Sequence, residues 1–185
     1  MALYGLSEVS TRKIADIARI SDGNIYRFFP SKESMFLEAY IRNCTAMVEF
    51  SIEEIDKQLA HAKDLHFQDG ARAVFDRIWP LLLADRNKCR FQNIYYRSLS
   101  FECFALPFHT EQIGLLADHL EWLFFTRADA ARAIGYVVTI LYDSARQVVD
   151  GRLPNDEKTA NTIFNDIFSL FYCLSKRWPF RASNP

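Results

Sequence analysis

The stretch Ser10-Thr11-Arg12-Lys13-Ile14-Ala15-Asp16-Ile17-Ala18-Arg19-Ile20-Ser21-Asp22-Gly23-Asn24-Ile25-Tyr26-Arg27-Phe28-Phe29-Pro30-Ser31-Lys32-Glu33 decides the fold. It holds three helix starts in little more than twenty residues. Ser10-Thr11 caps a short helix to about Ala18, with Ile14, Ala15 and Ala18 at helical spacing on one face. Ser21 caps a second from Asp22 to Phe28, and acidic Asp22 suits its positive N-terminal end. Pro30 stops that helix, and Ser31 caps a third that opens Lys32-Glu33. Two short helices joined by the tight turn Arg19-Ile20-Ser21 make a helix-turn-helix pattern.

Helical periodicity continues outward from this stretch. Met35, Phe36, Ala39, Tyr40 and Met47, then Phe50, Ile52, Ile55 and Leu59, predict one long helix from Lys32 toward Lys63. Further helices are predicted over 71–84, 88–104 and about 111–125. Those over 129–149 and 156–177 carry the widest apolar stripes. In the first, Ile134, Val138, Leu141, Ala145 and Val148 are widened by Val137, Ile140 and Tyr142. In the second, Ile163, Ile167, Leu170 and Leu174 run beside Phe164, Phe168 and Phe171. A helix apolar over far more than a ~100° face buries two sides. In a chain this size the second side points to a partner subunit and a four-helix interface between two copies, with a central core helix of a monomer as the alternative. Sustained period-2 alternation is absent, so the expected class is all-α.

Composition narrows the function classes. The 185 residues are half hydrophobic and 24% charged, with six Gly and six Pro, which argues against disorder. The longest apolar run, Ala133 to Tyr142, is about half of the ~18–20 residues that span a bilayer. Met1-Ala2-Leu3-Tyr4-Gly5 lacks the basic start and apolar core of a signal peptide, so the expected compartment is the cytoplasm, with no membrane partner. Cys44, Cys89, Cys103 and Cys173 form no Cys-x-x-Cys and read as reduced, mostly buried thiols. His61 and His66 are five apart and share no helix face, so no metal or other cofactor is expected. Gly-x-Ser-x-Gly, a Gly-rich phosphate loop and His-Glu-x-x-His are all absent, so an enzyme is not expected. Residues 1–42 hold six cations against five anions in a chain of net charge −1. Bulk charge therefore does not mark a nucleic-acid binder, and any such role falls to a few placed cations.

Ile14-Ala15, Ile20-Ser21, Gly23-Asn24-Ile25-Tyr26, Phe29 and Ser31-Lys32-Glu33, at their fixed spacing, resemble the DNA-binding head of TetR-family transcriptional regulators. The resemblance implies a head over residues 1–42 and an effector-binding and dimerisation body over 43–185. It implies backbone-phosphate contacts from Thr11, Tyr26 and Lys32, and a groove-facing set of Arg12, Asp22, Gly23, Asn24 and Arg27. Within that set, an arginine can read guanine and Asn24 adenine. Ile14, Ile20, Ile25 and Phe29 are expected to fill a mini-core under the motif. Two departures from the family pattern stand out. Arg19 occupies the turn position that is usually Gly, which predicts a left-handed residue strained by about 1 kcal/mol. Only Ala2-Leu3-Tyr4-Gly5 stands where the family's first helix would end, so that helix is expected to be truncated.

Residues 75–136 are rich in aromatics, with Arg97, Glu102, His109 and His119 among them. With the family resemblance they point to a largely apolar effector pocket lined by Phe75, Trp79, Tyr95, Tyr96, Arg97, Phe104, Trp122 and Tyr136, the alternative being that aromatics at helical spacing are simply core. A dimer interface is expected from Ile134, Val138, Leu141, Ala145, Ile163, Ile167, Leu170 and Leu174. The reading is a ligand-responsive repressor that binds an inverted-repeat operator in double-stranded DNA as a homodimer and is released by a small apolar or aromatic effector. The alternative is a dimeric helical co-regulator module of the same fold that does not bind DNA.

Overall fold

Eight α-helices account for most of the described residues, 9–60 and 67–175, in a computed structural model of the chain. No strand occurs among them. The helices are α1 (Thr11–Ala18), α2 (Asp22–Phe28), α3 (Lys32–Ala60), α4 (Phe67–Ala84), α5 (Arg86–Tyr96), α6 (Leu106–Leu120), α7 (Arg127–Val149) and α8 (Glu157–Leu174). Two expected long helices are broken. A π-helical segment, Phe101–Ala105, separates α5 from α6, and a 3-10 turn, Glu121–Leu123, ends α6. Residues 2–5, His61 and His66 lie outside the described residues.

Local chemistry sets the boundaries. The Ser10 hydroxyl accepts from the Lys13 amide at 3.2 Å and starts α1. Arg19 stops it in the left-handed region, φ 57° and ψ 41°. Its amide bonds to the Asp16 carbonyl and the Ile20 amide to that of Ala15, the two-bond pattern of a Schellman stop. Ser31 caps α3 reciprocally with Ser34. The Ser34 amide donates to Ser31 Oγ at 3.0 Å, and the Ser31 amide to Ser34 Oγ at 3.1 Å. Ser21 precedes α2 in an extended conformation, but its hydroxyl makes no capping bond, contrary to expectation.

The body holds three packed clusters. Phe75, Ile78, Trp79 and Leu82 of α4 pack with Leu141 and Ala145 of α7 and Ile163 and Ile167 of α8. Val48 of α3 packs with Ile113 and Leu116 of α6 and Ala133 and Ile134 of α7. Nearest the head, Val9, Phe36, Tyr40, Phe91, Tyr95 and Phe101 form the third cluster, with Ile14 packed against it. Helix α3 passes through the 42/43 boundary without a break, so head and body share one rigid element.

The wide stripes on α7 and α8 serve the chain's own core. Ile134, Leu141, Ala145, Ile163 and Ile167 are buried within the single chain, and half-buried Val138 and Leu174 pack against the second cluster. Half-exposed Leu170 belongs to none of the three clusters. The physical reason is that α7 packs on α4, α5, α6 and α8 at once. A helix at the centre of a bundle needs apolar residues almost all round without any partner.

Candidate functional site

The head presents its polar residues over a small support. Ala15 is 2% exposed where α1 packs on α2, and Ile25 is buried beneath them. Ile14 and Phe29 are half-buried, whereas Ile20 is 45% exposed and stands outside the expected mini-core. The hydroxyls of Thr11 and Tyr26 are hydrogen-bonded at 3.0 Å, which joins the start of α1 to α2 and sets the two hydroxyls side by side. Arg12, Gly23, Asn24, Tyr26 and Arg27 are exposed, and Lys32 is half-buried at the start of α3. Among the described residues, apart from its chain neighbours and the backbone of its own helix, nothing lies within 4 Å of where a Gly23 side chain would start, so the backbone there is open to close approach. Asp22 differs from its neighbours. It is half-buried, and its Oδ1 is enclosed without a partner, which leaves it the least available of the groove set.

The body contains a cavity of about 350 Å³ at the seam where the three clusters meet. Eight side chains of α3 line it, from Tyr40 through Val48 and Ser51 to Leu59. Of the residues expected in a pocket, Phe75, Tyr96, Arg97 and Trp122 line it. The other four do not. Trp79 lies behind Phe75 in parallel stacking, with ring centroids 5.6 Å apart. Tyr95 is fully enclosed among Tyr40, Phe91 and Phe101. Phe104 and Tyr136 point outward, 54% and 49% exposed. Sequence spacing marks these residues as aromatic at helical period, but not which side of a two-sided helix opens on a void.

One end of the cavity is polar. The Tyr40 hydroxyl is hydrogen-bonded to His109 Nδ1 at 2.8 Å, which ties α3 to α6. Burial holds the His109 imidazole below its ordinary pKa, and burial pushes the Tyr40 phenol upward. Cys44, one turn along from Tyr40, is pushed up to about 11 by burial and stays a thiol. Asn93 donates to the Tyr142 carbonyl at 3.2 Å. Gln92 is 5% exposed, and its Oε1 has no partner. Gln112, also buried, lies one turn beyond His109 on α6. Arg97 carries the one formal charge among the described lining residues, and it bonds to Asp143 of α7 at 2.6 Å. Glu102 is exposed, and His119 bonds instead to Asp56 at 2.9 Å, outside the lining. His109 carries a signal in the sequence, as a polar residue among aromatics. Tyr40 and Gln92 carry none, because both fit ordinary helical spacing.

Few other groups compete for attention. No cluster of three or more metal-ligating side chains occurs among the described residues. No described helix is long and apolar enough to cross a membrane. All four cysteines are free, but only Cys89 is buried. Cys44 is half-buried, and Cys103 and Cys173 are exposed, against the expectation of mostly buried thiols.

Residues 1–39 match the family model described as "Bacterial regulatory proteins, tetR family". Among curated proteins none matches. Solved structures share the fold, among them the following three. A TetR family transcription regulator from Marinobacter aquaeolei VT8 is 14% identical at a TM-score of 0.65, over 91% of this chain and 87% of that one. A putative TetR-family transcriptional regulator from Mesorhizobium loti MAFF303099 is 13% identical at 0.65, over 94% and 90%. The fatty acid degradation regulator FadR from Bacillus halodurans is 19% identical at 0.58, over 94% and 87%. At these identities the likeness is one of fold. Together with the matched head it gives the assignment: the chain carries the helix-turn-helix head of the TetR family of bacterial regulatory proteins on a helical body with the fold of TetR-family transcription regulators.

Proposed function

We propose that the protein is a dimeric repressor that binds an inverted-repeat operator and leaves it when a small, largely apolar molecule enters the cavity. One observation carries this reading. Helix α3 starts in the head at the Ser31–Ser34 cap and, without interruption, supplies eight lining side chains to the cavity. Tyr40 is the hinge point, since it belongs to the cluster under the head and also lines the cavity. A ligand that competes for the Tyr40–His109 bond acts on α3 about two turns from Lys32. The shift it produces is bounded by its differential affinity for the two head spacings.

A second copy would dock on the outward side of α7 and α8, where Tyr136, Leu170 and Cys173 are not taken up by the core. Thr11, Tyr26 and Lys32 would hold phosphates, and Arg12, Asn24 and Arg27 would face bases.

Fluorescence anisotropy of duplex DNA from the region flanking the protein's own gene, across a salt series, tests the reading. Selective binding that weakens with salt is expected. Lys32→Ala should weaken binding uniformly and lower the salt slope by about one. Tyr26→Phe removes one hydroxyl and should weaken binding less. Binding no tighter than to random duplex would overturn operator recognition and leave the co-regulator module as the reading of the same fold.

A further inference from the structure

One opening of the cavity carries a surplus of positive charge. Tyr96, Arg97 and Thr139 line the cavity and are themselves exposed, so it meets solvent beside them. Arg97, at the C-terminal end of α5, bonds to Asp143, one turn beyond Thr139 on α7, so these two helices frame the opening. Neutral polar groups are spread along the lining, with Ser51 and Gln58 on α3 as well as Asn93 and His109. Formal charge is not spread: among the described lining residues it falls on Arg97 alone.

Arg97 ends a run of ion pairs between α5 and α7. Arg90 bonds to Asp150 at 2.7 Å, Arg146 lies 3.4 Å from Asp150 and 3.2 Å from Asp143, and Arg97 bonds to Asp143 at 2.6 Å. Within this run three arginines share two carboxylates. Arg97 is its outermost member, with a side chain 58% exposed against 19–28% for the other four. It spends one guanidinium nitrogen on Asp143, and the rest of its fork of N–H donors stays open.

Asp143 loses little by releasing Arg97. It also accepts from Arg146 at 3.2 Å and from Gln147 at 2.9 Å, so it stays paired. The Arg146 Nε is buried without a partner, and a freed Asp143 can complete a two-nitrogen fork on that guanidinium. A carboxylate arriving at the opening meets Asp143 as a like charge, but the three cations outweigh the two anions there. An arriving cation would add to the surplus. Behind the opening the walls are apolar, among them Met47, Val48, Ile55, Leu116, Phe168 and Phe171. We propose, resting on the effector reading above, that the cavity selects apolar monocarboxylic acids in their ionised form. The apolar body fills the cavity, and the carboxylate takes Arg97 from Asp143 at the opening.

Calorimetric titration of the full chain at neutral pH with two matched series tests the proposal. Decanoate, decanol and decylamine share a linear body; naphthylacetate, naphthylethanol and naphthylethylamine share a flat one. In the series whose body fits, the acid should bind about tenfold more tightly than the alcohol, the low end for a hydrogen bond to a charged group. The amine should bind most weakly, and acetate, which has no apolar body, should show no binding. Arg97→Gln should erase the acid's advantage and leave the alcohol's affinity as it was, and Arg97→Lys should restore part of that advantage. Asp143→Asn removes the competing carboxylate and should strengthen acid binding severalfold, where a merely structural pair would give a loss. Arg97→Gln decides the matter if Asp143→Asn does not fold. The proposal is overturned if neither acid binds, if acid and alcohol bind equally in both series, if acetate matches decanoate, or if the acid's advantage survives Arg97→Gln. Operator affinity with and without the bound acid separates this from the regulatory reading. Arg97-dependent acid binding that leaves operator affinity unchanged supports the ligand class and refutes release. Release of operator by the alcohols, with no binding of either acid, refutes the ligand class and leaves the effector reading intact.

Discussion

Arg19→Gly should stabilise the protein, although it removes a whole side chain. Arg19 sits at φ 57° and ψ 41°, the one non-glycine residue with positive φ among the described residues. In that region Cβ crowds the following carbonyl oxygen, which costs about 1–2 kcal/mol. Glycine removes the crowding but has more freedom to lose on folding, about 0.5–1 kcal/mol. The central values leave glycine favoured by about 0.75 kcal/mol. Side-chain losses do not offset this, because Arg19 is exposed and the stop is made by backbone amides to Ala15 and Asp16. For a chain of this size the gain corresponds to about 1–4 °C in melting temperature. Thermal melts of the parent, Arg19→Gly and Arg19→Ala separate the cause. Alanine keeps Cβ and should give no gain, so conformation rather than charge is being read. If glycine melts at or below the parent while alanine melts higher, the strain argument fails.

Three further perturbations probe other parts of the molecule. Ala15→Leu forces three carbons into the 2%-exposed contact beneath the head, and overpacking of about 1–3 kcal/mol should reduce operator binding sharply. Hydrogen exchange at the α2 amides should show the loosening, and unchanged protection there would contradict the packing account. His109 is held below its ordinary value of 6.5, so the unfolded chain takes its proton first as pH falls. Its contribution is present above about pH 6.5 and is lost progressively below it. Stability of the parent minus that of His109→Gln, measured by denaturant titration, should therefore shrink between pH 7 and 5, and a constant difference would refute the assignment. Glu54 bonds to Lys57 at 2.9 Å and lies 3.5 Å from Arg77 of α4, and the Lys57 bond chiefly holds its carboxyl below the usual 4.5. That stabilisation is present above about pH 4.5 and fades as acid protonates the group. Glu54→Gln should thus lower the melting temperature at pH 7 and converge with the parent in acid, a pattern that parallel melting curves would rule out.

The head was legible because its signals are local. Ser10, Arg19, Pro30 and Ser31 each act within a few residues, and the observed bounds of α1 and α2 follow from them. The body was legible only as helices. The π-helical segment at Phe101–Ala105 interrupts a sequence whose apolar period gives no sign of it. There Phe101 meets Tyr40, Tyr96 and His109 from other helices, and contacts across the fold override propensity along the chain. The stripe from Ile134 to Leu174 shows the same limit. Periodicity reports that a helix is apolar on two sides, and burial inside one chain or between two copies gives the same pattern.

The same ambiguity bears on how, under the proposed function, the cavity would communicate with the head. A void among aromatic residues changes little unless one of its walls has two arrangements that the head can feel. Tyr40 meets that condition better than the aromatics expected from sequence. Phe75 lines the void but stacks on Trp79 and packs on Phe164, deep in a cluster that includes no residue of α1 or α2. Tyr40 contacts Tyr95 at 5.0 Å between ring centroids and shares its cluster with Val9 and Phe36, with Ile14 of α1 packed on them. Its hydroxyl bonds to His109, beside a contact between the two rings at 6.5 Å. Removing that hydroxyl in Tyr40→Phe keeps the ring packing and cuts the α3–α6 hydrogen bond at the head end of the cavity, while the His119–Asp56 bond between the same helices remains. Operator affinity without ligand should then change by no more than the worth of one hydrogen bond, about tenfold. The ligand-induced change should fall towards none, because the ligand no longer has that bond to displace. A Tyr40→Phe protein that binds operator and responds to ligand as the parent does would move the coupling elsewhere, to the π-helical segment that shares Phe101 with the same cluster.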